Sequence, residues 1–182
     1  MERCRDEGQR LLDAGEPLLA YDTLADGLKA FPGDVTLRQL LALALARSRA
    51  SDAAVPILHD LLAQGHVDEE TLGLLGSVYK DLPVHAGSSP ERERHLQSAL
   101  EYYSKAYELP GHGFWSGINA ATTALLLGRR GQAEALARAV RDQVRSAQHA
   151  DPSLAADYWH VATLAEAWLK RRLEGLEGGG RE

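Results

Sequence analysis

Seven histidines, one cysteine and 26 acidic side chains are the groups in this 182-residue chain that could carry chemistry. Their spacing assembles none of the common catalytic or metal-binding constellations: no His-x-Glu, His-Glu-x-x-His or Cys-x-x-Cys occurs. Cys4, being alone, can form neither an intrachain disulfide nor a thiolate zinc cluster. It also lacks a companion His/Asp motif that would mark a nucleophile. His85, His95 and His112 fall near one another, but without ligand pairs at i, i+4 they read as solvated loop histidines. Gly178–Gly180 follows no strand and so forms no phosphate cradle. Glu69-Glu70 and Arg129-Arg130 read as ordinary helix-end charges matched to the macrodipole. No catalytic, cofactor-binding or metal-ligating residue is expected, and the chain is expected not to be an enzyme. Binding is the remaining chemistry, and Asn119 with Trp115 stands out for it. Asn119 could clamp the backbone of an extended peptide, or could order the Gly113–Gly117 turn through local hydrogen bonds.

Such side chains need helices to position them, and the composition supplies helices. Apolar residues make up 45% of the chain and are mainly Leu and Ala, strong helix formers, while β-branched and aromatic residues are scarce. The net charge of −6, with Lys and Arg dispersed, argues against nucleic acid as a partner. Apolar runs such as Leu40 to Ala46 fall far short of the ~20 residues that span a bilayer. The start, Met-Glu-Arg-Cys-Arg-Asp-Glu, has no apolar core like that of a secretory signal. The expectations are a cytoplasmic location and no membrane association.

Small residues recur with a fixed period. Gly8, Ala42 and Gly76 are separated by 42 − 8 = 34 and 76 − 42 = 34. Ala20, Ala54, Ala99 and Ala133 give 34, 45 and 34, so one insertion of 45 − 34 = 11 residues interrupts an otherwise regular array. Small residues at this spacing let antiparallel helices cross closely. With Leu24, Pro32, Leu41, Leu45, Leu58, Tyr79, Tyr103, Ala106 and Pro110 they resemble the tetratricopeptide-repeat family over nearly the whole chain, with Cys4 where that family's Trp would stand. The resemblance implies an all-α solenoid, a right-handed superhelix of about nine helices.

Turn residues set the boundaries. Gly15-Glu-Pro17, Phe31-Pro-Gly-Asp34, Ser51-Asp52, His66-Val-Asp68, Leu109-Pro-Gly-His-Gly113 and Leu127-Gly-Arg-Arg-Gly131 punctuate the pattern, with Asp34 placed to cap a helix. They divide a single domain, 1–173, into units of about 1–34, 35–68, 69–112 and 113–150 and a final helix, 152–171. The insertion falls in a loop at 81–90, and the helix resumes near Glu91. Residues 174–182 read as a Gly-rich tail or linker, consistent with a longer parent chain.

One stretch is more particular. Gly117-Ile-Asn-Ala-Ala-Thr122 lies after Tyr102-Tyr-Ser-Lys-Ala-Tyr-Glu-Leu109 and before Asp157-Tyr-Trp-His-Val-Ala-Thr163. Together they resemble the TRAFs-binding family, the tetratricopeptide-like region of apoptosis signal-regulating kinases and of many bacterial proteins. That resemblance covers about 71–169 and implies a regulatory interaction region, often within a multidomain chain.

Solenoids bind along the concave face that the first helix of each unit lines. The repeat frame places Arg5, Gln39, Leu43, Ser77, Lys80, Trp115, Asn119, Thr122 and His160 there. Leu40, Leu74 and Ile118 are expected to give the groove an apolar character suited to an amphipathic helix or apolar peptide. Arg5 and Lys80 stand too far apart for a chaperone-type carboxylate clamp. Trp159 reads as core, whereas Trp168 could cap the last helix or meet a following domain. The function expected is a non-catalytic scaffold or regulatory module that binds a protein or peptide partner. A ligand-sensing domain controlling an attached or neighbouring effector is the alternative.

Overall fold

Every connection between helices must satisfy the carbonyls of the helix it ends and the amides of the one it starts. In the first unit, helix α1 (Glu2–Asp13) stops at a turn in which Gly15 takes φ 77° and the Glu16 amide bonds back to the Leu11 carbonyl. Pro17 then opens α2 (Pro17–Ala30) at a first-turn position that needs no N–H. The second unit pairs α3 (Val35–Arg47) with α4 (Ser51–Ala63), and the third pairs α5 (Glu69–Asp81) with α6 (Ser89–Glu108). The fourth pairs α7 (Phe114–Leu126) with α8 (Arg130–Ala150). The computed structural model describes residues 2–82, 89–110 and 113–151. The proposed final helix, 152–171, and the Gly-rich tail lie outside them.

The 34-residue series are the crossing points. Ala20, Ala54, Ala99 and Ala133 are all fully buried. A Cβ on Gly8 would lie 2.4 Å from Leu24, and one on Gly76 would lie 2.7 Å from the Tyr103 ring. Leu24, Leu58 and Tyr103 occupy one register (58 − 24 = 34; 103 − 58 = 45), so the third unit replaces a leucine with a larger ring and needs Gly76 opposite it.

Each helix packs on the next in sequence, and the first helices of successive units also touch, α1 on α3, α3 on α5 and α5 on α7. The second helices, α2, α4, α6 and α8, do not pack comparably on one another. The array therefore bends with its first helices on the inner face. This is an all-helical tetratricopeptide-type solenoid, with eight helices among the described residues.

Two expectations change. The insertion is not confined to a loop at 81–90, because Asp81 ends α5 and α6 already begins at Ser89, reaching 20 residues. Pro90 permits this because the second position of a helix has no intrahelical use for an N–H. Leu40 and Leu74 do not line the groove; at 9% and 5% exposure they belong to the core between units.

Candidate partner-binding face

The polar positions of the inner face are organised by what joins one unit to the next. Asp34 caps α3, accepting from the Leu37 amide at 3.0 Å, and Asp68 caps α5, accepting from the Thr71 amide at 2.7 Å. Each cap is held by the preceding unit. The Arg5 guanidinium meets the Asp34 carboxylate at 2.6 and 3.1 Å, and the Gln39 amide donates to Asp68 at 3.1 Å and to the Thr71 hydroxyl at 2.9 Å. Arg5 and Gln39 are one repeat apart, as are their partners (39 − 5 = 34; 68 − 34 = 34). Burial alone would raise the Asp34 pKa, but the Arg5 hydrogen bond, the Leu37 and Thr36 amides and the Arg5 charge outweigh it and hold it below the usual range. Arg5 and Gln39, both expected on the binding face, are therefore committed to the joints.

The third junction is built differently. The frame puts Gly73 where Arg5 and Gln39 stand, and Gly113 where Asp34 and Asp68 stand (73 − 39 = 34; 113 − 68 = 45), so both side chains of the joint are missing. Glu69 anchors the start of α7 from across the junction instead. Its carboxylate accepts from the Gly113 amide and the Ser116 hydroxyl, each at 2.8 Å. The room left by Gly73 is taken by Trp115, whose ring comes within 2.7 Å of where a Cβ would be. Tyr103 meets the same ring edge-on, with centroids 5.6 Å apart. Trp115 is thus pinned on two sides and still 51% exposed. Beside it opens a cleft of about 570 Å³ lined by Gln39, Asp68, Glu69, Glu70 and Trp115. Burial and the neighbouring charges of Asp68 and Glu69 raise the pKa of Glu70.

Further along the same two helices lies a second polar group. Lys80 donates to the Asn119 side-chain oxygen at 2.9 Å and sits 5.4 Å from the Tyr103 ring centroid. Burial lowers the Lys80 pKa, against an opposing pull from Asp81. The Asn119 amide nitrogen donates to the Trp115 carbonyl at 2.9 Å, the local bonding expected for it. Both ends of its amide are therefore engaged within the chain. Ser77, Ile118 and Thr122 are half-buried nearby, as is Leu43 on α3. Tyr103 itself is buried, and burial raises its pKa. His160 lies outside the described residues, as do His85, His112, Trp159 and Trp168.

The Gly117–Thr122 stretch does more packing than display. A Cβ on Gly117 would lie 2.5 Å from Val140 and 2.7 Å from Tyr107, and Ala120 and Ala121 are fully buried. His95 is carried on α6, with its ring 6.1 Å from that of Tyr79, rather than in a loop.

The sequence signal that could have pointed to the cleft was the loss of the joint pair at Gly73 and Gly113, together with the acid run at Asp68–Glu70. Reading Glu69 and Glu70 as helix-end charges missed it.

Comparison with solved structures finds a thermophilic tetratricopeptide-repeat protein of Thermus thermophilus at TM-score 0.71 and 21% identity, over 94% of this chain and 90% of that one. At that identity the likeness is one of fold. No curated protein matches the sequence. Residues 18–126, from α2 through α7 and including the altered junction, match the family described as Tetratricopeptide Repeats-Sensor. That span is well over half of the 182 residues, and the chain belongs to this family.

Proposed function

We propose that the chain is a non-catalytic interaction module that holds a segment of a partner protein on its inner face, centred on α5 and α7. Repeats of this type generally mediate protein–protein interaction, which supports the class. The observation that carries the reading to a place is Trp115. It is a large ring fixed against Gly73 and Tyr103 and half-exposed beside a cleft, the arrangement expected of an interface anchor. Leu43, Ser77, Lys80, Asn119 and Thr122 extend the face along the groove. We take residues 1–173 as one repeat domain, cytoplasmic and not bound to nucleic acid, in keeping with the net charge of −6. No helix among the described residues is long and apolar enough to cross a membrane. The likeness of residues 117–122 to the TRAFs-binding family supports a regulatory role, with the effector on the same or a neighbouring chain.

Affinity capture from the native proteome with the wild-type chain, against Leu43→Glu and Thr122→Arg variants, tests the reading. Loss of the specific partner in both variants with unchanged helicity is expected. Retention of the partner by both variants removes the inner face as the site.

A second reading, ligand sensing, is favoured by the family's description and by a cleft within the size range of small-molecule sites. A metabolite that raises the melting temperature of the purified chain without any partner protein would favour it.

A further inference from the structure

We propose that the cleft between the first turns of α5 and α7 receives one cationic side chain, an arginine or a lysine, of the protein segment held on the inner face. The inference rests on the partner-binding reading above and gives that partner a chemistry.

The polar side chains that line the cleft offer acceptors to a ligand. Asp68, Glu69 and Glu70 contribute carboxylates. Gln39 is only 9% exposed, and its amide nitrogen is spent on Asp68 and Thr71, while its side-chain oxygen has no donor among the described residues. That oxygen keeps contact with solvent at the cleft wall, where an entering N–H group could take the place of water as its donor. Local structure accounts for two of the acids: Asp68 caps α5, and Glu69 anchors the start of α7. It does not account for Glu70, which caps nothing. No Lys or Arg of the described residues forms an ion pair with any of the three, so their charge is free to meet a cation from outside. Partial desolvation raises the pKa of Glu70, and the charges of Asp68 and Glu69 add to it.

The apolar wall agrees. Trp115 presents a held indole, the best aromatic surface for an ammonium or guanidinium group. A metal ion fits less well, since among the described residues no three His, Cys, Asp or Glu side chains converge to hold one. Separate acceptors around an aromatic face suit an organic cation with several N–H donors, and the cleft of about 570 Å³ has room for a guanidinium and its stem.

The test uses the full chain and the indole N–H resonance of Trp115, assigned with Trp115→Phe. N-acetyl-arginine methylamide is titrated against its neutral isostere, the citrulline derivative. Arginine should move the resonance saturably and lysine less so, with citrulline at least ~10-fold weaker, and ~0.5 M salt should abolish most of the shift. Glu70→Gln should weaken arginine binding roughly 3–5-fold with the amide spectrum otherwise unchanged. Equal response to citrulline, or no response to arginine, overturns the proposal. Free spermidine binding more tightly than arginine-containing peptides of the captured partner overturns the assignment to a protein segment. The two readings fail separately. If arginine binds the cleft while Leu43→Glu and Thr122→Arg still capture the partner, the cation site stands and the inner-face reading falls. If partner capture is lost in those variants but citrulline equals arginine, the cation site falls alone.

Discussion

Arg49 holds the left-handed backbone conformation, φ 63°, at the turn between α3 and α4, where the corresponding turns of the first and fourth units use Gly15 at 77° and Gly128 at 73°. A side chain with a Cβ is strained there, and glycine is not. Arg49→Gly should therefore raise stability by about 0.5 kcal/mol, less than the strain itself because glycine loses more entropy on folding; urea unfolding at neutral pH measures it. Asp34 makes the opposite case. It caps α3 and binds Arg5, so Asp34→Ala should cost about 2–3 kcal/mol at pH 7, as a lost cap and an orphaned guanidinium. Its folded pKa is depressed, so this stability is present above the unfolded carboxyl range and disappears as pH falls through the folded value. The wild-type and variant curves should converge once the pH has fallen below the folded value. Glu70 has a raised folded pKa, so its ionisation opposes folding: the penalty is absent in acid and appears as pH rises through the folded value. Glu70→Gln should raise the melting temperature by roughly 1–2 °C at pH 7 and leave it unchanged at pH 3, small because Glu70 is only partly desolvated and much of its surface still faces solvent. The two outcomes together would mark Glu70 as a binding residue rather than a structural one. The bonds that Glu69 makes across the third junction were not legible in the sequence, because its partners stand 44 and 47 positions away and local spacing shows only an acid at a helix start.

At the scale of elements, what sequence spacing does report is close approach between helices. A 34-residue recurrence of Gly and Ala can only persist where backbones cross, and every member of the Ala20, Ala54, Ala99 and Ala133 series proved fully buried. The helix boundaries were legible for the same kind of reason, since Asp34, Asp68, Pro17 and Gly128 act within one turn of their own positions. The insertion was not, because its division between loop and helix depends on how far α6 gains by continuing to pack, which local residues do not state. Gly117 shows that a residue of a family motif can serve packing: it lies at the crossing of α7 with α6 and α8, where Tyr107 and Val140 leave no room for a methyl group. Gly117→Ala gains helix propensity of up to about 1 kcal/mol but must displace that ring and side chain, so a net loss of about 1–2 kcal/mol is expected. Urea denaturation followed by circular dichroism decides the sign. A stabilised variant would show that α7 and α8 slide apart easily and that this crossing is not tight.

Across the whole molecule, the substantial contacts between units among the described residues join neighbours, so stability is expected to be a sum of unit and junction terms rather than a property of one shared core. The three joints are then the places where cooperativity is transmitted: Arg5 to Asp34, Gln39 to Asp68 and Thr71, and Glu69 to Gly113 and Ser116. The third differs in kind. A single carboxylate holds the start of α7, and the same residue walls the cleft on which the binding proposal rests. Binding and part of the coupling of the fourth unit to the third therefore share one side chain, alongside the Lys80–Asn119 bond and the packing of Trp115 on Gly73. Glu69→Ala should leave two orphaned donors at α7 and uncouple α7–α8 from the rest. Native-state hydrogen exchange reads this directly: amide protection in α7 and α8 should fall by roughly 10-fold or more, while α1 to α4 keep wild-type protection. Uniform loss along the chain would mean that the array unfolds as one unit and that the junctions do not partition its stability. If the exchange is local, a cation entering the cleft would meet Glu69 in its α7-anchoring position, and occupancy should add protection to α7 and α8 in the wild-type chain but not in the variant.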